Sequence, residues 1–318
     1  MIRLEHLYIA LGLVFAAFAV LSLGDRANRK RLGNAAFWGL FAASFLAGSH
    51  LGDFANGVLV LALIALGGFG ALGRGAPKTT TDAEREARAV RRGNALFIPA
   101  LLIPIIALVG TLTLKRATIE GVLLLDASQV TLISLGFGVA SALIVAMLWL
   151  RPPVLAPLQE GRRLIDAISW TAILPQLLAA LGAIFTLAGV GHAVSLVATR
   201  YLPLDQPFEA VIVYCLGMAM FTFVMGNAFA AFPVMTAAIG LPLIVHEFHG
   251  NAAIMGAIGM LAGFCGTLMT PMAANFNIVP AALLDLSDRN GVIKAQVPTA
   301  IPLLLANMIL MYALVFRF

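Results

Sequence analysis

Long apolar runs separated by short polar intervals set the pattern of this chain. Leu4 to Gly24 is a run of about 20 residues, enough to cross a hydrocarbon core of about 30 Å as a helix. Leu32 to His50 and Phe54 to Leu72 follow, joined by a tight turn that holds His50 and Asp53. Ala95 to Leu114, kinked by Pro99 and Pro104, and Gln129 to Leu150 are the fourth and fifth spans. From Ile165 to Val190 the run is interrupted by Ser169, Thr171, Pro175, Gln176, Gly182, Thr186 and Gly189. Either one long tilted helix or a re-entrant pair turning near Pro175-Gln176 or Gly182 fits that length. The next piece, 191–207, reads as interfacial and amphipathic, with Arg200 and Tyr201 as headgroup anchors. Phe208 to Met225 is a span. Beyond it the apolar stretch Met218 to Leu286 is broken at Gly226-Asn227 and at Thr270-Pro271. Broken helices persist in hydrocarbon only where protein or a water-filled cavity shields the freed backbone groups. The pattern predicts an all-α polytopic membrane protein of about eight to ten segments, discontinuous or re-entrant helices among them.

Composition agrees: 61% hydrophobic and 11% charged residues in 318, with a mean hydropathy of +0.98. The formal charge of +5 is not a nucleic-acid signature, because the cations crowd into short loops. Residues 25–31 and 74–92 carry half of them, the second with Arg74, Lys78, Arg85, Arg88, Arg91 and Arg92 against Asp82, Glu84 and Glu86. Positive-inside topology places both loops in the cytoplasm and Met1 outside, with Leu4 to Gly24 an uncleaved helix. Residues 81–92 are read as a solvated charged loop in preference to a short interfacial helix capped by the Thr81-Asp82 pair. Arg151, Arg162 and Arg163 return 151–164 to the inner side. Its Pro-rich start divides a five-span region, 1–150, from a transport-like region, 151–318. Cys215 and Cys265 lie in apolar runs and read as core residues, not a disulfide or metal site.

Candidate chemistry collects at the two breaks. The triplet Gly-Asn-Ala occurs at 33–35, 93–95 and 226–228. The first two follow basic loops, where Asn34 and Asn94 read as helix N-caps at the membrane surface. The third, Gly226-Asn227-Ala228, lies at membrane depth with Thr222 one turn before it. There a capped half-helix turns its free N–H groups and positive dipole end toward anions. The second break offers Thr267, Thr270, Pro271, Asn275 and Asn277. Pro271 frees the carbonyl near Thr267, and such carbonyls suit Na⁺. The substrate side is thus assigned to Thr222, Gly226, Asn227, Ala228, Asn275, Asn277 and Gln176, the cation side to Thr267, Thr270, Pro271 and Asn275. The structural alternative is a kinked helix whose Asn and Thr side chains bond its neighbours, each bond worth about 1 kcal/mol. Two breaks, with no charged residue between Met218 and Val245, favour a transport site. The sequence HEFH (246–249) lacks the i,i+4 histidine spacing of a zinc protease and reads as an interfacial loop. His192 and Glu209 read as surface groups. Asp285 reads as a cap for the re-entrant element, with a coupling proton as its alternative role. No P-loop, nucleophile beside a base, or acid–base pair at membrane depth marks an enzyme or a pump.

The motifs VMGNAFAAFPVM and GTLMTPMAANFNIVPAALLD resemble one repeat of the ion-transporter superfamily of carboxylate and anion permeases, over roughly residues 160–318. Gly226-Asn227-Ala228 stands at the hairpin motif, although Ala228 replaces the usual hydroxyl residue. Thr270-Pro271 with Asn275 stands at the unwound helix. The whole chain, RLGNAAFWGLFAASFLAGSHLGDFANGVLVL included, is similar to a bacterial inner-membrane permease-like family, domain of unknown function 979. The resemblance implies a split permease subunit for a small carboxylate such as 5-oxoproline, coupled to Na⁺ or H⁺ and without other cofactor. It also implies a co-encoded small membrane subunit; the incomplete repeat is equally met by a homodimer. A non-transporting scaffold subunit is the alternative from another class, and an intramembrane enzyme is the weakest.

Overall fold

The computed structural model describes residues 2–75, 77, 79–119, 122–201, 204–284 and 286–317. They form an almost wholly helical protein, divided into two compact units, Met1–Ser169 and Trp170–Phe318. Seven helical runs among the described residues are long and apolar enough to cross a membrane: Leu4–Gly24, Ala83–Thr113, Val130–Leu150, Ala156–Leu187, Pro207–Met225, Ala228–Glu247 and Gly291–Val315. Asp53–Gly68, Ala252–Leu268 and Ala274–Leu283 are shorter apolar helices. The protein is a polytopic membrane protein by this architecture.

In the first unit α1 (Leu4–Gly24) packs along α2 (Arg31–Ala47), and α3 (Asp53–Gly68) follows the turn after α2. The α1–α2 contact is aromatic: Phe15 stacks on Trp38, Phe41 and Phe45 with ring centroids 5.4–5.9 Å apart. The charged stretch after α3 is a helix, α4 (Asp82–Arg92), and not the loop expected from its solvation. Its start explains why: Thr81 Oγ1 accepts from Glu84 N while Glu84 Oε2 accepts from Thr81 N, a reciprocal cap that satisfies two otherwise unpaired donors. After a 3₁₀ turn, Gly93–Leu96, α5 (Phe97–Thr113) packs on α6 (Val130–Leu150). A two-residue hairpin joins them, β1 (Thr118–Ile119) pairing antiparallel with β2 (Val122–Leu123). The Pro-rich stretch then enters α7 (Ala156–Ile168), which packs on α1, so the compact units part after α7. Although Ala156–Leu187 is long enough to cross a membrane, its apolar part is the later one. Glu160, Arg162, Arg163 and Asp166 put α7 outside it.

The expected turn positions between 165 and 190 are displaced. The breaks fall at Ser169, with φ 57°, and at Gly189, with φ +70°. Pro175 and Gln176 instead open α8 (Leu174–Leu187), where a proline at the first turn sacrifices no hydrogen bond. Gly182 is a packing point, its bare Cα lying against Ala230. Residues 191–201, expected at the interface, form the second half of a short helical hairpin as α9 (Val190–Tyr201), with Gly191 and Ala198 buried.

The core of the second unit is built by α10 (Pro207–Met225), α12 (Ala252–Leu268) and α14 (Gly291–Val315), which pack mutually around Tyr214, Met218, Cys265 and Met311. Between α10 and α12 runs α11 (Ala228–Met235), continued in π-type turns over Thr236–Glu247 around Pro242. Between α12 and α14 lies α13 (Ala274–Leu283). The expected breaks are the α10/α11 and α12/α13 junctions.

Candidate functional site

At the first break α10 stops because Gly226 takes a left-handed conformation, φ +75°, and its N–H closes on the Thr222 carbonyl at 2.7 Å. Asn227 then caps α11: its Oδ1 accepts from Phe229 N at 2.8 Å, and the residue is only 6% exposed. This is a helix N-terminus held inside the protein. At the second break α12 ends at Leu268, and residues 269–273 pass without helical bonding into α13. Thr270 Oγ1 accepts from Met272 N at 3.2 Å, which holds the irregular turn across Pro271.

The two breaks meet. Gly226 lies so close to the Met272–Ala273 peptide that a Cβ there would run into the Met272 carbonyl. Gly263 of α12 faces the same region, where an added Cβ would sit 3.1 Å from Ala228 Cβ and 3.3 Å from Thr222 Oγ1. Thr222, Ala228 and Met218 therefore pack closely on the middle of α12, an approach that glycine permits. One turn on, a Cβ at Gly266 would strike the Ala219 carbonyl, so α10 and α12 approach backbone to backbone.

The polar inventory corrects the assignment of roles. The carbonyls of Thr267 and Thr270, expected to face a cation, both accept from Asn277 Nδ2, at 2.8 and 2.7 Å. Asn277 is fully buried and acts as a C-terminal cap for α12; it is a clamp first. Thr267 Oγ1 donates to Phe264 O at 2.6 Å, and Pro271 is exposed. Of the buried side-chain oxygens without a hydrogen-bond partner among the described residues, three belong to the residues of the two breaks: Thr222 Oγ1, Asn275 Oδ1 and Asn277 Oδ1. Unsatisfied polar atoms at membrane depth are costly, so they mark the places where a ligand would be held.

Other expected residues separate from this region. Gln176 is exposed at the start of α8. Asn34 is no surface cap: it is 2% exposed and bonds Gly73 through both ends of its amide, at 2.7 and 2.8 Å. Asn94 lies exposed in the 3₁₀ turn before α5 and caps nothing. His246 and Glu247 are exposed at the end of the π-type turns, His249 on a left-handed turn after them. Cys215 and Cys265 are buried free thiols. Asp285 lies outside the described residues.

Sequence reading missed the glycine face of α12. Gly256, Gly259, Gly263 and Gly266 recur at i, i+3, i+7 and i+10, one side of a helix, and the spacing was visible. A groove of about 640 Å³ between α9, α10 and the π-type turns is lined only by apolar residues such as Val197, Leu216 and Met235. It offers a carboxylate no partner, so the polar junction of the breaks is the better candidate despite being tighter.

No curated protein and no solved structure matches the chain. A family model, described as protein of unknown function (DUF979), matches residues 5–316. With two packed helix breaks in a many-helix membrane protein and that match over nearly its whole length, the chain belongs to the DUF979 family.

Proposed function

We propose that the protein is a subunit of a secondary transporter for a small carboxylate such as 5-oxoproline, coupled to Na⁺ or H⁺, in the bacterial inner membrane. The observation that carries this reading is the meeting of the two breaks, Gly226 against Met272–Ala273, beside buried oxygens without partners. The groups gathered there, amides, hydroxyls and helix ends, are suited to reversible binding of a small ion, which supports reading the role as non-enzymatic. The α11 N-terminus supplies the attraction for an anion. A cation takes side-chain oxygens, those of Asn275, Asn277 and Thr222, in place of the backbone carbonyls that Asn277 has closed. A second membrane subunit or a second copy completes the transport unit, since the described residues carry one such pair of packed breaks.

One observation favours a different reading, a scaffold subunit without a site: Asn277 satisfies the freed carbonyls internally, as a purely structural kink requires. Uptake of labelled 5-oxoproline into proteoliposomes, with inward Na⁺ or H⁺ gradients and with or without a co-encoded small subunit, separates the two. Saturable, gradient-driven uptake is expected; its absence under every combination supports the scaffold.

A further inference from the structure

The charged helix α4 is not held by packing. Its apolar residues, Ala83, Ala87, Ala89 and Val90, are all exposed. It has 11 residues, and helices shorter than about 12–15 are marginal on their own in water. Arg85 bonds the hydroxyls of Thr79 and Thr80 and lies 3.5 Å from Glu160 of α7. At the other end the Arg92 guanidinium lies over the Trp149 ring of α6, 4.9 Å from its centroid. These contacts are made by single side chains and leave the helix uncovered.

The α6 end of α4 is positive and lacks counter-charge. Beyond Glu86 the helix carries Arg88, Arg91 and Arg92 and no acid, and Arg151 follows Trp149 by two residues. Among the described residues none of these four arginines forms an ion pair. Arg88 and Arg92 stand four residues apart, on the same face of the helix. Arg92 is half-buried, and its Nη1 has no acceptor within the protein. Trp149 also fixes the height, since it is the penultimate residue of α6, at the level where the tryptophans of spanning helices meet lipid headgroups. The group these arginines lack is an anion at headgroup level, and a bilayer supplies one as phosphate.

We propose that α4 docks on an anionic phospholipid, its phosphate held between the Arg88 and Arg92 guanidinia beside Trp149. Guanidinium geometry allows both contacts at once: the face of Arg92 rests on the indole while its N–H edge bonds phosphate oxygens. Arg91 and Arg151 raise the local potential, which favours a net-negative headgroup over a zwitterionic one. The apolar side chains of α4 are too small to anchor it by insertion, so the charge of the lipid decides whether the helix stays at the surface. Binding is reversible and changes no covalent bond. It is independent of the two helix breaks, which belong to the other compact unit.

Native mass spectrometry of the full chain in detergent, titrated with phosphatidylglycerol or with phosphatidylcholine of the same acyl chains, measures the preference. Phosphatidylglycerol is expected to bind at least about tenfold tighter, with the advantage shrinking as salt is added. Arg88→Gln and Arg92→Gln are each expected to weaken it by about fivefold, while Arg289→Gln, at an exposed position of the other unit, leaves it unchanged. A spin label at Val90→Cys, with both native thiols buried, is expected to be immobilised in phosphatidylglycerol vesicles and mobile in phosphatidylcholine vesicles. Equal affinity for the two lipids, binding untouched by both α4 substitutions at matched melting temperature, or a label equally mobile in both vesicles overturns the proposal. Inorganic phosphate bound as tightly as the lipid also overturns it, assigning the arginines to a soluble anion.

Discussion

Asn277 and Asn275 sit two residues apart on α13, and the structure gives them opposite jobs. Asn277→Ala removes the one side chain that caps the end of α12, leaving the Thr267 carbonyl without its donor and the Thr270 carbonyl with only the 3.3 Å contact from Ala273 N. In a water-referenced protein each unmet buried acceptor costs about 1–3 kcal/mol. In a bilayer such bonds average about 0.6 and reach about 1.7 kcal/mol, because the unfolded chain finds partners too. Two bonds therefore predict a loss of about 1–3 kcal/mol. At about 2–4 °C per kcal/mol, the melting temperature should fall by several degrees. Asn275→Ala removes an Oδ1 that bonds nothing, so its change should stay within about 0.5 kcal/mol. Thermal unfolding of the detergent-purified variants, followed by helical circular dichroism, measures both. Equal melting of Asn277→Ala and the unsubstituted protein, or an equal fall for both variants, would refute this division of roles.

Two further outcomes follow from the same geometry. Gly226→Ala places a side chain on a left-handed residue, about 1–2 kcal/mol in strain, and drives its Cβ into the Met272 carbonyl, so lowered melting and lost uptake are expected. Native melting with native uptake would show that the breaks do not need this contact. For topology, Arg29→Cys and Glu86→Cys, both at exposed positions, should react with an impermeant thiol reagent only after cells are opened; labelling of either in intact cells reverses the assigned orientation.

Much of the helix pattern was legible because apolar length is a one-dimensional property. Leu4–Gly24 and the starts of α6 and α10 lie within a residue or so of their expected positions, since a charged or turn-forming residue stops each apolar run. The breaks were legible for a similar reason: Gly226 and Pro271 each make regular helix costly at their own position. What depends on partners far along the chain was not. Asn34 carries the same triplet as Asn227, yet it is bound by Gly73 and Asp166, 39 and 132 residues away, and no local rule supplies those contacts. The carbonyl near Thr267 was expected to be freed by Pro271, but that Asn277 folds back to take it, together with that of Thr270, is a tertiary fact. Residues 81–92 erred the other way, because charge outweighed a capping box that was present in the letters.

The central claim, that the junction of the two breaks binds solute, is tested most directly by Asn275→Ala in solute counterflow with labelled 5-oxoproline, at protein levels and melting temperatures matched to the unsubstituted protein. Asn275 Oδ1 is assigned to the coupling cation, and losing that contact, at about 1.5–3 kcal/mol as for other interactions with a charged group, predicts half-saturation by the cation raised by roughly ten- to a hundredfold. Counterflow with unchanged half-saturation by the cation in Asn275→Ala would contradict the account.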